Sequence, residues 1–159
     1  MLLPIPQENF AGFLLDAKRH TYASQADDAA VKQLIRGSRQ LEFRYGALFY
    51  RDIYFGGEYF VGQETVYYKA DPVWGMSYAG GVIQSIDADE IAGVFSFLKI
   101  ALRKVTVEAP FRGPASFQSG AFLYTNRSLG NIERFSGTES ITYENRSIYQ
   151  LHYSGGLLR

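Results

Sequence analysis

Two stretches of this chain, residues 54–83 and 129–158, align with each other without a gap. The identical pairs are Glu58/Glu133, Phe60/Phe135, Gly62/Gly137, Glu64/Glu139, Tyr68/Tyr143, Tyr78/Tyr153, Gly80/Gly155 and Gly81/Gly156. These eight matches in thirty positions exceed the roughly two or three that a Tyr- and Gly-rich composition gives by chance. Because each copy of a repeat should fold in the same way, the repeat constrains the architecture before any motif is considered.

The pattern of each half predicts one helix followed by about four strands. Over residues 8–22 apolar side chains recur at helical spacing, and Asp87 is a good N-cap for a second helix. Segments with strand character, separated by Gly, Asp and Pro turns, follow each helix. We therefore expect a single α+β domain over residues 1–159 with repeat halves at about 8–83 and 87–158. Its helices should pack on antiparallel meanders of about four strands, related by a pseudo-twofold axis.

Composition narrows the classes of function. The chain has 16 basic and 16 acidic residues, so no net charge attracts nucleic acid or an anionic membrane, and neither is an expected partner. It has no cysteine, and its two histidines, His20 and His152, have no metal-ligand spacing; neither a metal nor a cofactor is expected. The amino terminus lacks a signal-peptide pattern, and no segment reaches about eighteen consecutive apolar residues, which favours a cytoplasmic protein.

Strand alternation directs two of the repeated residues, Glu64 and Glu139, toward the interior. Alternate residues of a strand face one side, and Glu64 shares its side with Phe60 and Val66. A buried carboxylate is costly unless it is paired or protonated. It is either a structural residue bonded to a tyrosine hydroxyl, a backbone amide or an arginine, or a functional acid with a raised pKa. Recurrence in both halves favours the structural role, because a unique active site would not be duplicated.

Residues that differ between the halves are better candidates for function. Arg51 and Asp52 have no clear counterpart in the second half, and an arginine can hold an anionic or polar group that an aspartate orients. Tyr54, Tyr67 and Trp74 are expected to supply the walls of an aromatic pocket. The alternative interpretation is a surface ion pair beside aromatic residues of the core.

Two segments outside the predicted strands add to these candidates. Residues 23–40 are polar and mixed in character, and they are the best candidate for a mobile loop. Arg112, between Phe111 and Gly113, is interpreted either as a residue at the mouth of a pocket or, more simply, as a partner in a loop salt bridge.

Three segments resemble the signature of a known family: Tyr50–Gly57 (YRDIYFGG), Phe60–Tyr68 (FVGQETVYY) and Pro72–Tyr78 (PVWGMSY). This chain is similar, from about Phe10 onward, to small uncharacterised bacterial domains with the pattern YRDxYFGG…GQExVYY…PxWGMxY. Members of that family occur alone or attached to a helix-turn-helix regulator of the xenobiotic-response-element type. No helix-turn-helix precedes the signature here, so the resemblance implies effector sensing or protein interaction rather than DNA binding.

The leading hypothesis is a non-catalytic module that binds or senses a small molecule in an aromatic-lined cleft. Its expected ligand contacts are Arg51, Asp52, Tyr54, Tyr67 and Trp74. The first alternative is a small hydrolase or lyase that uses Glu64, with Glu139, in acid/base catalysis. The second alternative is a protein-interaction module that forms a homodimer through an edge strand. The sequence contains no catalytic motif, and it therefore predicts no particular reaction.

Overall fold

Two helices and eight strands follow one another as one helix and four strands, twice over. The computed structural model describes residues 3–21 and 30–158. The helices are α1 (Gln7–His20) and α2 (Ala88–Leu102), and the strands are β1 (Arg39–Tyr45), β2 (Leu48–Gly56), β3 (Tyr59–Tyr68), β4 (Asp71–Val82), β5 (Ser116–Ser119), β6 (Phe122–Asn131), β7 (Arg134–Tyr143) and β8 (Arg146–Leu157). The predicted class, α+β with antiparallel strands, is confirmed. Residues 23–29 of the predicted loop 23–40 lie outside the described residues.

All eight strands join in one antiparallel sheet, in the order β1-β2-β3-β4-β8-β7-β6-β5. Each set of four strands forms a meander, and the last strands of the two meanders pair with each other. At the centre of that pairing, Tyr78 of β4 lies opposite Tyr153 of β8. The register shifts once in β3–β4, after Val66, and once in β7–β8, after Ile141. These two shifts fall at matching positions of the sequence repeat.

The two faces of the sheet differ in what they bury. Trp74 and Tyr149 lie on one face and are completely buried. The ring of Phe10 in α1 meets Trp74 with centroids 6.4 Å apart, and the ring of Phe95 in α2 meets Tyr149 at the same separation. The other face bears the partly or fully exposed side chains of Arg51, Gln63, Tyr67, Ser77 and His152. We call these the core face and the open face.

Local sequence explains where both helices lie. The carboxylate of Asp87 accepts a hydrogen bond from the backbone N–H of Glu90 at 2.8 Å, which fixes the start of α2 as predicted. α1 buries Phe10 and Leu14, and the same stripe continues one turn further to Lys18, whose side chain is also fully buried. A lysine is rarely buried to this extent without a charged partner. In the described part of the chain, neither helix is long and apolar enough to cross a membrane.

Candidate functional site

A cleft of about 480 Å³ opens on the core face. It lies between α2 and the β1–β4 half of the sheet, and Arg112 from the segment after α2 also borders it. Its lining residues are Thr21, Arg39, Leu41, Asp52, Tyr54, Gly56, Gly57, Glu58, Phe60, Tyr78, Ile91, Phe95, Leu98, Lys99, Leu102 and Arg112. Most of the lining surface is apolar. Three buried residues with polar groups, Asp52, Tyr78 and Arg112, form what we call the floor; the hydroxyl of a fourth, Thr21, donates to the Ala17 carbonyl at 2.8 Å.

The floor is centred on a hydrogen bond between Tyr78 and Asp52. The Tyr78 hydroxyl donates to Asp52 Oδ1 at 2.7 Å, and the two residues are 6% and 1% exposed. Burial, reinforced by the nearby charge of Glu64, raises the pKa of Asp52 to about 7, against the opposing effects of Tyr78, Lys18 and Arg112. Burial and Asp52 raise the pKa of Tyr78 well above its ordinary value, so the phenol keeps its proton and remains a donor.

A buried ion pair lies beside this hydrogen bond. Asp52 is the register partner of Glu64 across β2 and β3, and Glu64 Oε2 accepts a hydrogen bond from Lys18 Nζ. Burial lowers the pKa of Lys18, and Glu64 opposes this effect as its principal partner. Glu64 Oε1 has no hydrogen-bond partner among the residues that the structure describes. The carboxylates of Asp52 and Glu64 therefore lie on neighbouring strands in the interior, and Lys18 forms its ion pair with Glu64.

The second half contains a more completely bonded cluster. Arg112 donates to Glu139 through Nε at 3.1 Å and through Nη2 at 2.6 Å. The hydroxyls of Tyr124 and Tyr149 donate to the same carboxylate at 2.6 and 2.8 Å. Glu139 is fully buried, so these four donors stabilise its charged form. This bonding is what a structural carboxylate requires.

Asn126 occupies in the second half the position that Asp52 occupies in the first. Asn126 is the register partner of Glu139, as Asp52 is of Glu64. The Tyr153 hydroxyl donates to Asn126 Oδ1 at 2.9 Å, as Tyr78 does to Asp52. The same geometry thus holds a neutral amide in one half and a carboxylic acid in the other.

Three aromatic rings, those of Tyr54, Phe60 and Phe95, form a cluster with the ring of the floor residue Tyr78. The Phe60 ring lies 6.3 Å from that of Tyr54, 6.0 Å from that of Tyr78 and 6.3 Å from that of Phe95, measured between centroids. Two of these contacts are edge-to-face, so the rings do not stack into a closed block. In the second half, Phe135 corresponds to Phe60 and is covered by a stacked Phe111 ring with centroids 3.8 Å apart. The ring of Phe60, by contrast, faces the cleft.

The structure brings together some of the predicted ligand contacts and separates others. Asp52 and Tyr54 both line the cleft. Arg51 and Tyr67 lie on the open face, because neighbouring residues of a strand point to opposite sides. Arg51 pairs there with Glu42 at 2.9 Å, and its guanidinium lies 5.9 Å from the centroid of the Tyr67 ring. Asp52 therefore does not orient Arg51.

Trp74 is completely buried and donates its indole N–H to the Ile132 carbonyl at 3.2 Å. It lies in the core beneath the junction of the two meanders and does not line the cleft. The carboxylates of Glu64 and Glu139 are also completely buried, as strand alternation predicts, and neither lines the cleft. A role in ligand binding for the five predicted contacts remains a prediction.

Three residues of the site were missed by sequence reasoning or left undecided. Lys18 falls at the eighth position after Phe10 and the fourth after Leu14, so the helical period alone would have placed it on the buried stripe. Tyr78 shares strand parity with Trp74 and would have been found by the alternation that located Glu64. Arg112 combines both interpretations offered for it, because it forms a buried salt bridge and also borders the cleft.

Comparison with known proteins identifies a family and no activity. The model of one family, described as a domain of unknown function (DUF5680), matches residues 52–158. No curated protein and no solved structure matches the chain. The matched range includes the floor residues Asp52, Tyr78 and Arg112 and leaves out α1, which supplies Lys18.

Proposed function

We propose that this chain, which belongs to the DUF5680 family of domains of unknown function, is a non-catalytic module that binds or senses a small molecule in the cleft. The observation that carries this proposal is the Asp52–Tyr78 pair, buried at the floor of an aromatic-walled cleft of about 480 Å³. Ligand sites typically occupy roughly 300–1,000 Å³ and combine apolar walls with few polar groups. The ligand is therefore a compact molecule with an apolar body and one polar group that reaches the floor.

The arrangement of bonding partners supports binding at this half rather than the other. Glu139 is saturated by Arg112, Tyr124 and Tyr149, and Phe111 covers Phe135. The first half places an acid of pKa about 7 at the end of an open space. Titratable groups with such pKa values, located in clefts, are enriched at functional sites.

A cleft-filling substitution tests the proposal. Ile91 lines the cleft from α2 and is half-buried, whereas the neighbouring Ala92 is exposed and does not line it. We expect Ile91→Trp to abolish the binding of aromatic fragments detected by NMR chemical-shift changes at Phe60 and Phe95. Ala92→Trp adds the same side chain to the same helix and should leave binding intact. Equal binding in both variants would place the fragments elsewhere and refute the proposal.

An acid/base enzyme is the second proposal, supported by the pKa of Asp52, which suits proton transfer near neutral pH. The acid would be Asp52 rather than Glu64, because Asp52 borders the cleft and Glu64 does not. Mass spectrometry of cleft ligands after incubation with the protein distinguishes the two proposals. A binding module returns each ligand unchanged, whereas an enzyme produces a new mass that disappears in Asp52→Asn.

We also propose that the fold is an internal duplication, with helices on the core face and a pseudo-twofold axis between β4 and β8. Matching register shifts, the Tyr78–Tyr153 pairing and the equivalent sites of Asp52 and Asn126 support it. The double variant Asp52→Asn/Asn126→Asp tests this equivalence. It should fold with thermal stability close to that of the native chain at pH 6, and the carboxyl at position 126 should acquire a raised pKa. A carboxyl at position 126 with an ordinary pKa would show that the two sites are not equivalent.

A further inference from the structure

We propose that the polar group bound at the floor is an ammonium group. Asp52 would hold it next to the aromatic side chains of Tyr54, Phe60, Tyr78 and Phe95. This inference rests on the proposed function and specifies the chemical class of its ligand. The apolar body of the same ligand would lie against Ile91 and Leu98 of α2, which line the cleft beside Phe95.

The balance of buried charge leaves one carboxylate for a cationic ligand. Lys18 is paired with Glu64, and Arg112 is paired with Glu139. Asp52 forms no ion pair with any described residue, and the hydrogen bond it accepts comes from a neutral phenol. An ionised carboxylate in the interior is costly without an opposite charge beside it. An ammonium ligand would supply that charge and a hydrogen bond at the same time.

The aromatic walls favour the same class of ligand. Ring faces carry partial negative charge, so a cation within about 6 Å of a ring centroid is attracted to it. Phe60, with its centroid 6.0–6.3 Å from those of Tyr54, Tyr78 and Phe95, stands at the middle of a four-ring wall. A carboxylate beneath aromatic rings binds a cation through both interactions, whereas an anion would be repelled by both.

Other charged or titratable groups face this site from every element packed around it, and their burial decides their influence. The groups near Asp52 are Lys18 from α1, Glu64 from β3, Tyr78 from β4 and Arg112 from the segment after α2. The groups at the rim are Arg39 from β1, Glu58 from the turn between β2 and β3, and Lys99 from α2. The rim charges are exposed, so water and salt screen them. Asp52 is 1% exposed and acts through a low-dielectric interior. The buried cations Lys18 and Arg112 are each paired with a glutamate, so Asp52 should dominate the choice of ligand charge.

Binding of an ammonium group should be linked to the release of a proton. The pKa of Asp52 is about 7, so in the free protein near neutral pH the acid is about half protonated. A bound cation favours the carboxylate, which requires that proton to leave. Release should approach about half a proton per bound ligand at pH 7 and should fall as the pH rises.

Matched probes that differ in one functional group provide the test. We choose 2-phenylethylamine, 2-phenylethanol and phenylacetate, which are cationic, neutral and anionic near pH 7, with binding measured by NMR titration to millimolar concentration. The amine should bind at least ~10-fold more tightly than the alcohol. Asp52→Asn should reduce this preference to less than ~3-fold and abolish proton release, measured by calorimetry in two buffers of different ionisation enthalpy. Asparagine fits this geometry, as Asn126 shows.

Glu42→Gln is the matched control, because it also removes one carboxylate but on the open face, where Glu42 pairs with Arg51. It should leave the amine preference unchanged. Equal binding of amine and alcohol, or stronger binding of phenylacetate, at Phe60 and Phe95 would overturn the ammonium assignment and leave the proposed function standing. If none of the three probes shifts these residues, both the ammonium assignment and the proposed cleft function are wrong.

Discussion

Asp52 and Asn126 lie at equivalent positions of one sheet and differ in a single functional group. Each lies across from a buried glutamate in the register, and each accepts a hydrogen bond from a tyrosine hydroxyl, at 2.7 Å for Asp52 and at 2.9 Å for Asn126. An amide satisfies this geometry without charge. The acid in the first half brings a buried ionisable group with it, and this acid borders the cleft.

The pH dependence of stability should reveal the cost of ionising Asp52. Its pKa rises from an ordinary 3.8 to about 7 on folding, so the folded state binds more protons than the unfolded state between these values. This contribution to stability is fully present below about pH 4 and is lost as the pH rises through about 7, by up to ~1.4 kcal/mol per pH unit.

Urea unfolding at pH 5 and pH 8 measures this effect. The free energy of unfolding of Asp52→Asn minus that of the native chain should increase from pH 5 to pH 8, because only the native chain loses stability when Asp52 ionises. Using the difference between the two chains removes the contributions of all other titrating groups. Parallel pH profiles for the two chains would show that Asp52 does not titrate in this range.

Gly62→Ala should displace the donor of the floor hydrogen bond. A Cβ at Gly62 would collide with the Tyr78 ring and hydroxyl, and it would lie 2.6 Å from Tyr54 Cβ. Overpacking of this kind costs roughly 1–3 kcal/mol. Gly57→Ala is the control, because its added Cβ meets no heavy atom within 4 Å and should change stability by less than about 0.5 kcal/mol. Similar melting temperatures for the two variants would contradict this packing of Tyr78.

Glu139→Gln should be among the most destabilising polar substitutions in the chain. It removes the carboxylate that pairs with the guanidinium of Arg112, which is 3% exposed, and breaking a buried pair in this way costs about 3–5 kcal/mol. Glu42→Gln removes a pairing with Arg51 that is about one quarter exposed and should cost less than ~1 kcal/mol. Chemical denaturation of both variants checks the contrast. Equal losses would mean that burial does not govern the strength of these pairs.

Tyr78→Phe should have an effect that depends on pH, unlike Tyr153→Phe. The Tyr78 hydroxyl lowers the pKa of Asp52, so its removal should raise that pKa further. The lost hydrogen bond should cost about 1 kcal/mol when Asp52 is protonated and roughly 1.5–3 kcal/mol when it is charged. Tyr153 donates to neutral Asn126, so its loss should cost the same at pH 5 and pH 8. If Tyr78→Phe lost the same stability at pH 5 and at pH 8, Asp52 would not become a charged acceptor over this range.

Local patterns predicted the elements, because the physics that forms them is local. The Asp87 cap marks the start of α2, and strand parity places Glu64 and Glu139 in the interior. The same parity rule also places Arg51 and Asp52 on opposite faces of the sheet, which the predicted pocket did not take into account. Strand neighbours cannot share a pocket on one face of a sheet.

Long-range relationships could not be read from the chain. The pairing of β4 with β8 joins segments about 75 residues apart in the sequence, and no local pattern specifies it. The partners of the glutamates depend on the same tertiary arrangement: Lys18 reaches Glu64 from α1, and Arg112 reaches Glu139 from the segment after α2. The sequence offered an arginine and a tyrosine hydroxyl as partners for a buried Glu, and Glu139 has both; the lysine at Glu64 was not among them.

Titration of the Asp52 side-chain carboxyl by carbon-13 NMR, with and without saturating 2-phenylethylamine, tests the central claim most directly. In the free protein the carboxyl should titrate with a midpoint near pH 7, and the amine should lower that midpoint by at least about one pH unit. A midpoint near 4 that the amine leaves unchanged would show that Asp52 is an ordinary carboxylate and that the cleft floor is not a ligand site.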